Sequence, residues 1–162
     1  MSQEQRNKAF SFNTDFDYLP DQDRYLLARS QAQYRFNVIG CGVNGQEHIL
    51  VTYLEGRAEI HGVYEPNPGS IAGAQRIHHQ FVKQRELVVY SSLAEACNDP
   101  VVDGLIICTP NHTHLQVIQL AKRSEKAILL ENPIATSVVD AYAICQIAQA
   151  HPAVFQVGLQ YR

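Results

Sequence analysis

The chain has 162 residues, 46% hydrophobic and 18% charged, with 9 glycines and 7 prolines. That is the size and make-up of one globular domain able to bury its own core, and it excludes a disordered or linker-dominated polymer. Thirteen basic against sixteen acidic residues leave a net charge of −3, which argues against a nucleic-acid partner, since such partners are held by Lys and Arg on phosphates.

Residues 1–34 stand apart. They hold five glutamines and no glycine, with Phe10, Phe12, Phe16 and Tyr18 set among acidic residues. A short helix is predicted over residues 21–33, with Tyr25, Leu26 and Leu27 on its apolar side. The segment reads as an N-terminal arm, either docked on the domain or engaging a partner or a second copy.

From residue 35 to 162 short β-branched runs alternate with longer amphipathic ones. A strand over 36–39 ends in glycines, and Ile49, Leu50, Tyr53 and Leu54 stripe a helix over 45–54. A second strand over 60–64 is closed by Pro66 and Pro68, and Ile71, Ala74, Ile77 and Phe81 mark a second helix. His78 and His79 are adjacent on it and read as part of a solvated face. A third strand spans 87–90, and Ser92-Leu93-Ala94-Glu95 matches a capping box at the start of a short helix. Residues 104–108 (Gly-Leu-Ile-Ile-Cys) form a continuous apolar run, as a strand covered on both faces requires. Leu115, Ile118 and Ala121 mark the next helix and 127–130 the next strand. Val138, Ala141, Cys145 and Ala148 stripe the last helix before a strand over 154–159. Five β-α units and a final strand predict an α/β fold, a doubly wound parallel sheet in the order 3-2-1-4-5-6.

No apolar run approaches the roughly 20 residues that span a bilayer, and residues 1–10 lack the apolar stretch of a secretory signal. Cys41, Cys97, Cys108 and Cys145 form no C-x-x-C pair and read as buried thiols of a reducing compartment. A cytoplasmic protein without membrane attachment is expected.

Gly40-Cys41-Gly42-Val43-Asn44-Gly45 is a G-x-G-x-x-G between a strand and a helix, the context that gives the pattern meaning. Gly40 permits the tight turn, Gly42 lets the backbone approach a pyrophosphate, and Gly45 lets helix and strand pack closely. The helix N-terminus offers free N–H groups and a positive dipole end to phosphates, and Val43 and Asn44 of the loop are counted with the glycines as cofactor-binding. Glu65 lies twenty residues beyond Gly45, at the end of the second strand. A carboxylate there accepts from the adenosine ribose 2′-hydroxyl and repels a 2′-phosphate, so NAD is expected as cofactor in preference to NADP.

Thr109-Pro110-Asn111-His112-Thr113-His114 follows the fourth strand, and Glu131-Asn132-Pro133 follows the fifth. Both lie on the carboxyl edge of the sheet, where open α/β sheets bind ligands. His112 and His114 are two apart and would face different ways on a helix, a poor metal pair, so no metal is expected; capping and a solvated first turn are their plain alternative.

Taken together, these motifs resemble the N-terminal nucleotide-binding domain of the Gfo/Idh/MocA oxidoreductase family, over residues 35–162. The resemblance implies that Gly40, Gly42, Gly45 and Glu65 hold the adenosine diphosphate half of the cofactor. It implies that Thr109, Pro110, Asn111 and His114 border the nicotinamide ribose, with Glu131 and Asn132 continuing that wall. The implied reaction is hydride transfer to or from a secondary carbinol of a sugar, cyclitol or similar polyol.

Two departures stand out. The family usually has Glu-Lys-Pro where this chain has Glu131-Asn132-Pro133, and an amide cannot exchange a proton near neutrality. Members also continue into an α/β substrate domain, so this chain is expected to bind cofactor without turnover, its small-molecule substrate needing that second domain. A non-catalytic NAD-binding regulator on the same fold is the alternative, and neither reading fixes an oligomeric state. A redox-sensing DNA-binding repressor would need a basic helix-turn-helix. Residues 1–34, with four basic and five acidic residues, supply none.

Overall fold

The computed structural model describes residues 32–159, within one compact unit, Gln31–Arg162. The expected N-terminal arm and its helix over 21–33 fall almost wholly outside the described residues. In chain order the elements are β1 (Tyr34–Ile39), α1 (Val43–Glu55), β2 (Ala58–Tyr64), α2 (Pro68–Phe81), β3 (Val88–Val89), α3 (Leu93–Asn98), β4 (Gly104–Ile107), α4 (His114–Ala121), β5 (Ala127–Leu130), α5 (Val138–Ala150) and β6 (Phe155–Val157). Short 3₁₀ turns, Asn111–Thr113 and Lys122–Ser124, flank α4. The strands are parallel and run β3-β2-β1-β4-β5-β6 across the sheet, the doubly wound order that the alternation predicts.

Local chemistry sets the helix ends. The Asn67 side chain accepts from the amides of Gly69 and Ser70, with Pro68 in the first turn of α2, where its missing N–H costs nothing. α1 stops at Gly56, whose φ of 82° is the left-handed cap that glycine adopts freely. At α3 the Glu95 amide donates to Ser92 Oγ. The reciprocal half of the capping box is displaced by one residue, the Glu95 carboxylate accepting from the Ser91 amide and hydroxyl.

The sheet is covered on both faces, with β4 at its centre. Leu105 and Ile107 pack with Ile39, Cys97, Ile118, Ile128 and Ile144 on the face of α3, α4 and α5. Ile106 points the other way, into Val38, Ile49, Ile60 and Ala74 under α1 and α2. All four β4 residues are buried, which explains why its sequence shows no alternation.

Several expectations need correction. β3 is two residues rather than four, although the Tyr90 amide still donates to Val63 O. The Tyr90 ring lies against Gly62, where a Cβ would come within 2.6 Å of it. Its hydroxyl donates to Asp99 at 2.6 Å, beside Asn37, which is buried in β1 with its amide on Ala96 O. A bulge between β1 and β2 leaves His61 without a register partner and brings it 3.6 Å from Asp99. β6 is three residues rather than six.

His78 is not on a solvated face. It is fully buried, 2.6 Å from the Tyr53 hydroxyl and 2.7 Å from Arg85 O. These partners fit a neutral ring donating from Nε2 and accepting at Nδ1, and burial pushes its pKa down. The stripe read on α5 does not face the core either. Val138 and Cys145 are exposed, and only Ile144 of that helix is fully buried. Of the four thiols, Cys41 and Cys97 are buried and Cys108 is partly so. Among the described residues no helix is long and apolar enough to cross a membrane.

Candidate functional site

The carboxyl ends of β1 and β4 meet where the chain winds in opposite directions from β1, which is where such sheets open a crevice. The Cys108 amide donates to Ile39 O, and a Cβ on Gly40 would lie 2.8 Å from Cys108 O and Thr109 N. With φ at 86°, Gly40 is fixed as glycine by both sterics and conformation. A Cβ on Gly45 would strike the Gly40 carbonyl oxygen and crowd Val38, so α1 can sit on β1 only without a side chain there.

Gly42 is different. Its φ of −63° suits any residue, and a Cβ there would meet no atom within 4 Å. No contact inside the protein calls for glycine at this position. Gly42 is also the N-cap of α1, with no side-chain cap and no acidic residue in the first turn. The first amides of a helix have no intrahelical acceptors, so Val43, Asn44 and Gly45 leave a positive helix end facing the open space. These features fit a bound pyrophosphate.

Glu65 closes the adjoining edge. One carboxylate oxygen accepts from the Cys41 amide and the other from the Asn67 amide, both at 2.9 Å. The residue thus tethers the glycine-rich loop to the end of β2. Each oxygen retains a further lone pair for a hydroxyl donor. The Gln46 amide secures the same loop by donating to Cys41 O. Burial, with the Glu65 charge second, pushes the Cys41 thiol up to about 12, so it is unreactive.

Across the crevice, the Thr113 hydroxyl lies 2.7 Å from Pro110 O and 2.9 Å from Thr109 Oγ1, which shapes the 3₁₀ turn that presents Asn111. His114 does not line this wall. It is fully buried, with Nε2 2.9 Å from Thr109 O and Nδ1 3.1 Å from Ile134 O. Each ring nitrogen faces a backbone carbonyl, and a neutral ring donates to one of the two at a time, so His114 sits inside the fold between the turns after β4 and β5. Neither a solvated first turn nor a direct cofactor contact describes it.

Glu131 is almost fully buried, whereas Asn132 and Pro133 are exposed and joined by a cis peptide. The Glu131 carboxylate lies 2.7 Å from His48 Nε2, and a Cβ on Gly158 would come within 2.9 Å of it. His48 escaped the sequence reading. Its signal is helical spacing, since it follows Gly45 by three residues and so shares the sheet-facing side of α1. Gly40, Gly42, Val43, Asn44, Gly45, Glu65, Thr109, Pro110, Asn111, Glu131 and Asn132 all lie on the carboxyl edge of the sheet. Among the described residues no group of three His, Cys, Asp or Glu could hold a metal ion.

Residues 34–159 match the model of an oxidoreductase family described as an NAD-binding Rossmann fold, Gfo/Idh/MocA. Inositol 2-dehydrogenase 2 of Saccharopolyspora erythraea is 30% identical over 102 residues, covering 62% of this chain and 28% of that protein. The 2,7-anhydro-N-acetylneuraminate hydratase of Escherichia coli is 25% identical over 123 residues, covering 76% of this chain and 31% of that protein. Among solved structures, a myo-inositol dehydrogenase of Lactobacillus casei in complex with NAD(H) and myo-inositol superposes with a TM-score of 0.67 at 25% identity, covering 77% of this chain and 36% of that one. The chain spans about a third of the length of the curated relatives it matches.

Proposed function

The chain belongs to the Gfo/Idh/MocA oxidoreductase family, and from that premise we propose that it is the nucleotide-binding part of a dehydrogenase acting on a sugar, cyclitol or similar polyol. The observation that carries the reading is the crevice at Gly42, where an uncapped helix end faces space that no side chain enters. The adenosine diphosphate half is assigned to Gly40, Gly42, Val43, Asn44, Gly45 and Glu65. The nicotinamide side is assigned to Thr109, Pro110, Asn111, Glu131 and Asn132, with His114 buried between the turns. When bound, the dinucleotide supplies hydride exchange at its nicotinamide ring.

NAD is proposed over NADP because Glu65 places a negative charge at the end of β2, where a 2′-phosphate would be repelled. On the other wall, the Asn132 amide can orient a hydroxyl but cannot take its proton. The chain alone is accordingly proposed to bind cofactor without turning over an alcohol. Calorimetric titration of the whole chain with NADH and NADPH tests this, since the absence of tryptophan weakens fluorescence quenching as a probe. Saturable binding with NADH the tighter is expected. Binding of neither by a folded chain would overturn the reading, and alcohol-dependent reduction of NAD⁺ would overturn its non-catalytic half.

A second reading, a non-catalytic NAD-binding regulator, is favoured specifically by Asn132. It can be tested by joining this chain to the remaining length of a relative such as inositol 2-dehydrogenase and substituting Asn132→Lys. A large gain in rate would identify a disabled enzyme. No gain would favour the regulator.

A further inference from the structure

The segment after β5 carries Asn132 and Pro133, both exposed, and an imidazole lies at each of its ends. At the far end, His114 reaches Ile134 O. At the near end, His48 reaches the Glu131 carboxylate. The two differ in what else they touch. His114 is fully buried and also faces Thr109 O, so it works wholly inside the fold. His48 sits one turn into α1, the helix whose N-terminus faces the crevice, and its side chain is about a quarter exposed while that of Glu131 is 4% exposed.

A carboxylate withdrawn that far from water depends on charged or polar partners to stay in place. The His48–Glu131 contact also joins two parts of the site separated by 83 residues of sequence, the helix behind the glycine-rich loop and the turn beyond β5. We propose that His48 is a positioning residue for the nicotinamide half of the dinucleotide. By holding Glu131 it fixes the β5 wall in register with the loop that takes the pyrophosphate. The proposal rests on the dinucleotide reading above.

The test compares NADH with ADP, the adenosine diphosphate half alone, by calorimetry on the whole chain and its His48 variants. In His48→Ala, NADH affinity is expected to fall about tenfold, the loss of one charge-assisted contact, with ADP affinity unchanged within about twofold. His48→Gln, whose amide nitrogen can still donate to Glu131, is expected to restore most of the NADH affinity. If His48→Ala does not fold, His48→Asn takes its place, polar but too short to bridge to Glu131. Equal losses for both ligands would make His48 a structural prop and overturn the proposal. So would unchanged NADH binding, or His48→Gln behaving like His48→Ala. Wild-type chain that binds neither ligand would overturn the dinucleotide reading and this proposal with it, whereas wild-type binding with no His48 discrimination overturns only this one.

Discussion

Replacing Gly42 by valine separates binding from folding. The backbone at Gly42 is extended, with φ −63° and ψ −158°, and an added Cβ meets nothing in the protein within 4 Å. The folding cost is therefore confined to the N-cap, where valine is poorer than glycine by about 1 kcal/mol. For a chain of this size that lowers Tm by about 2–4 °C. Binding should suffer more. A side chain in the crevice keeps a pyrophosphate from the first-turn amides, and each charge-assisted hydrogen bond so lost costs about 1.5–3 kcal/mol. One or two such losses weaken NADH by roughly tenfold to ten-thousandfold. Gly45→Ala is the contrasting control, because its Cβ would collide with the Gly40 carbonyl. Overpacking there costs about 1–3 kcal/mol of stability, so this variant should lose several degrees of Tm first. Calorimetry with NADH and thermal unfolding by circular dichroism give both readouts. A folded Gly42→Val chain with wild-type NADH affinity would refute the placement of the phosphates.

Three further outcomes are expected. Glu65→Ala should weaken NADH about tenfold or more and NADPH distinctly less. Equal losses would reduce Glu65 to the tether on the Cys41 and Asn67 amides. Stability should be flat above about pH 6.5 and decline as pH falls below it. His78 and His61 both have folded-state pKa values depressed mainly by burial, so the unfolded chain binds the extra protons there. Urea titrations at pH 7.5, 6.5 and 5.5 check this, and His78→Phe, which removes one of the two groups, should flatten the slope; an unaltered slope would remove His78 from the account. A thiol reagent on native protein should modify one cysteine quickly, Cys145, which is exposed. Cys41 and Cys97 are buried, with thiols raised by burial to about 12 and about 11, and burial pushes Cys108 up as well. Fast reaction of Cys41 or Cys108 would contradict the packing of the β1 and β4 ends, and fast reaction of Cys97 that of α3 on the sheet.

The sheet order, the glycine-rich turn and Glu65 were legible because each depends on short-range pattern. Strands alternate with helices, glycines have fixed offsets, and an acidic residue ends the second strand. What stayed hidden depends on contacts between distant segments. His48 looks like any polar residue of an amphipathic helix until β5 delivers Glu131 against it. His78 was misread because adjacent histidines on a helix suggest solvent, whereas the Tyr53 hydroxyl and the carbonyl of Arg85 satisfy one of them inside. His114 follows the turn after β4 that the sequence pattern assigns to a cofactor, but its ring turns inward to two backbone carbonyls. The α5 stripe failed for another reason. A helix apolar on most sides gives no unique face, and its register on the sheet follows Ile144, with Ile147 half-buried against the same core.

That thin attachment of α5 has a consequence for amide exchange. β4 is buried on every side chain and hydrogen-bonded to β1 and β5 along its length, so its amides should open only with the whole domain. α5 anchors one fully buried side chain and leads to a three-residue edge strand, so its amides should exchange through local openings of far lower free energy. Deuterium uptake would then be graded across the sheet, slowest under the glycine-rich loop and fastest beyond β5. Breathing of the α5 edge would leave the Gly40–Gly45 cradle undisturbed, since β4 and β5 stand between them.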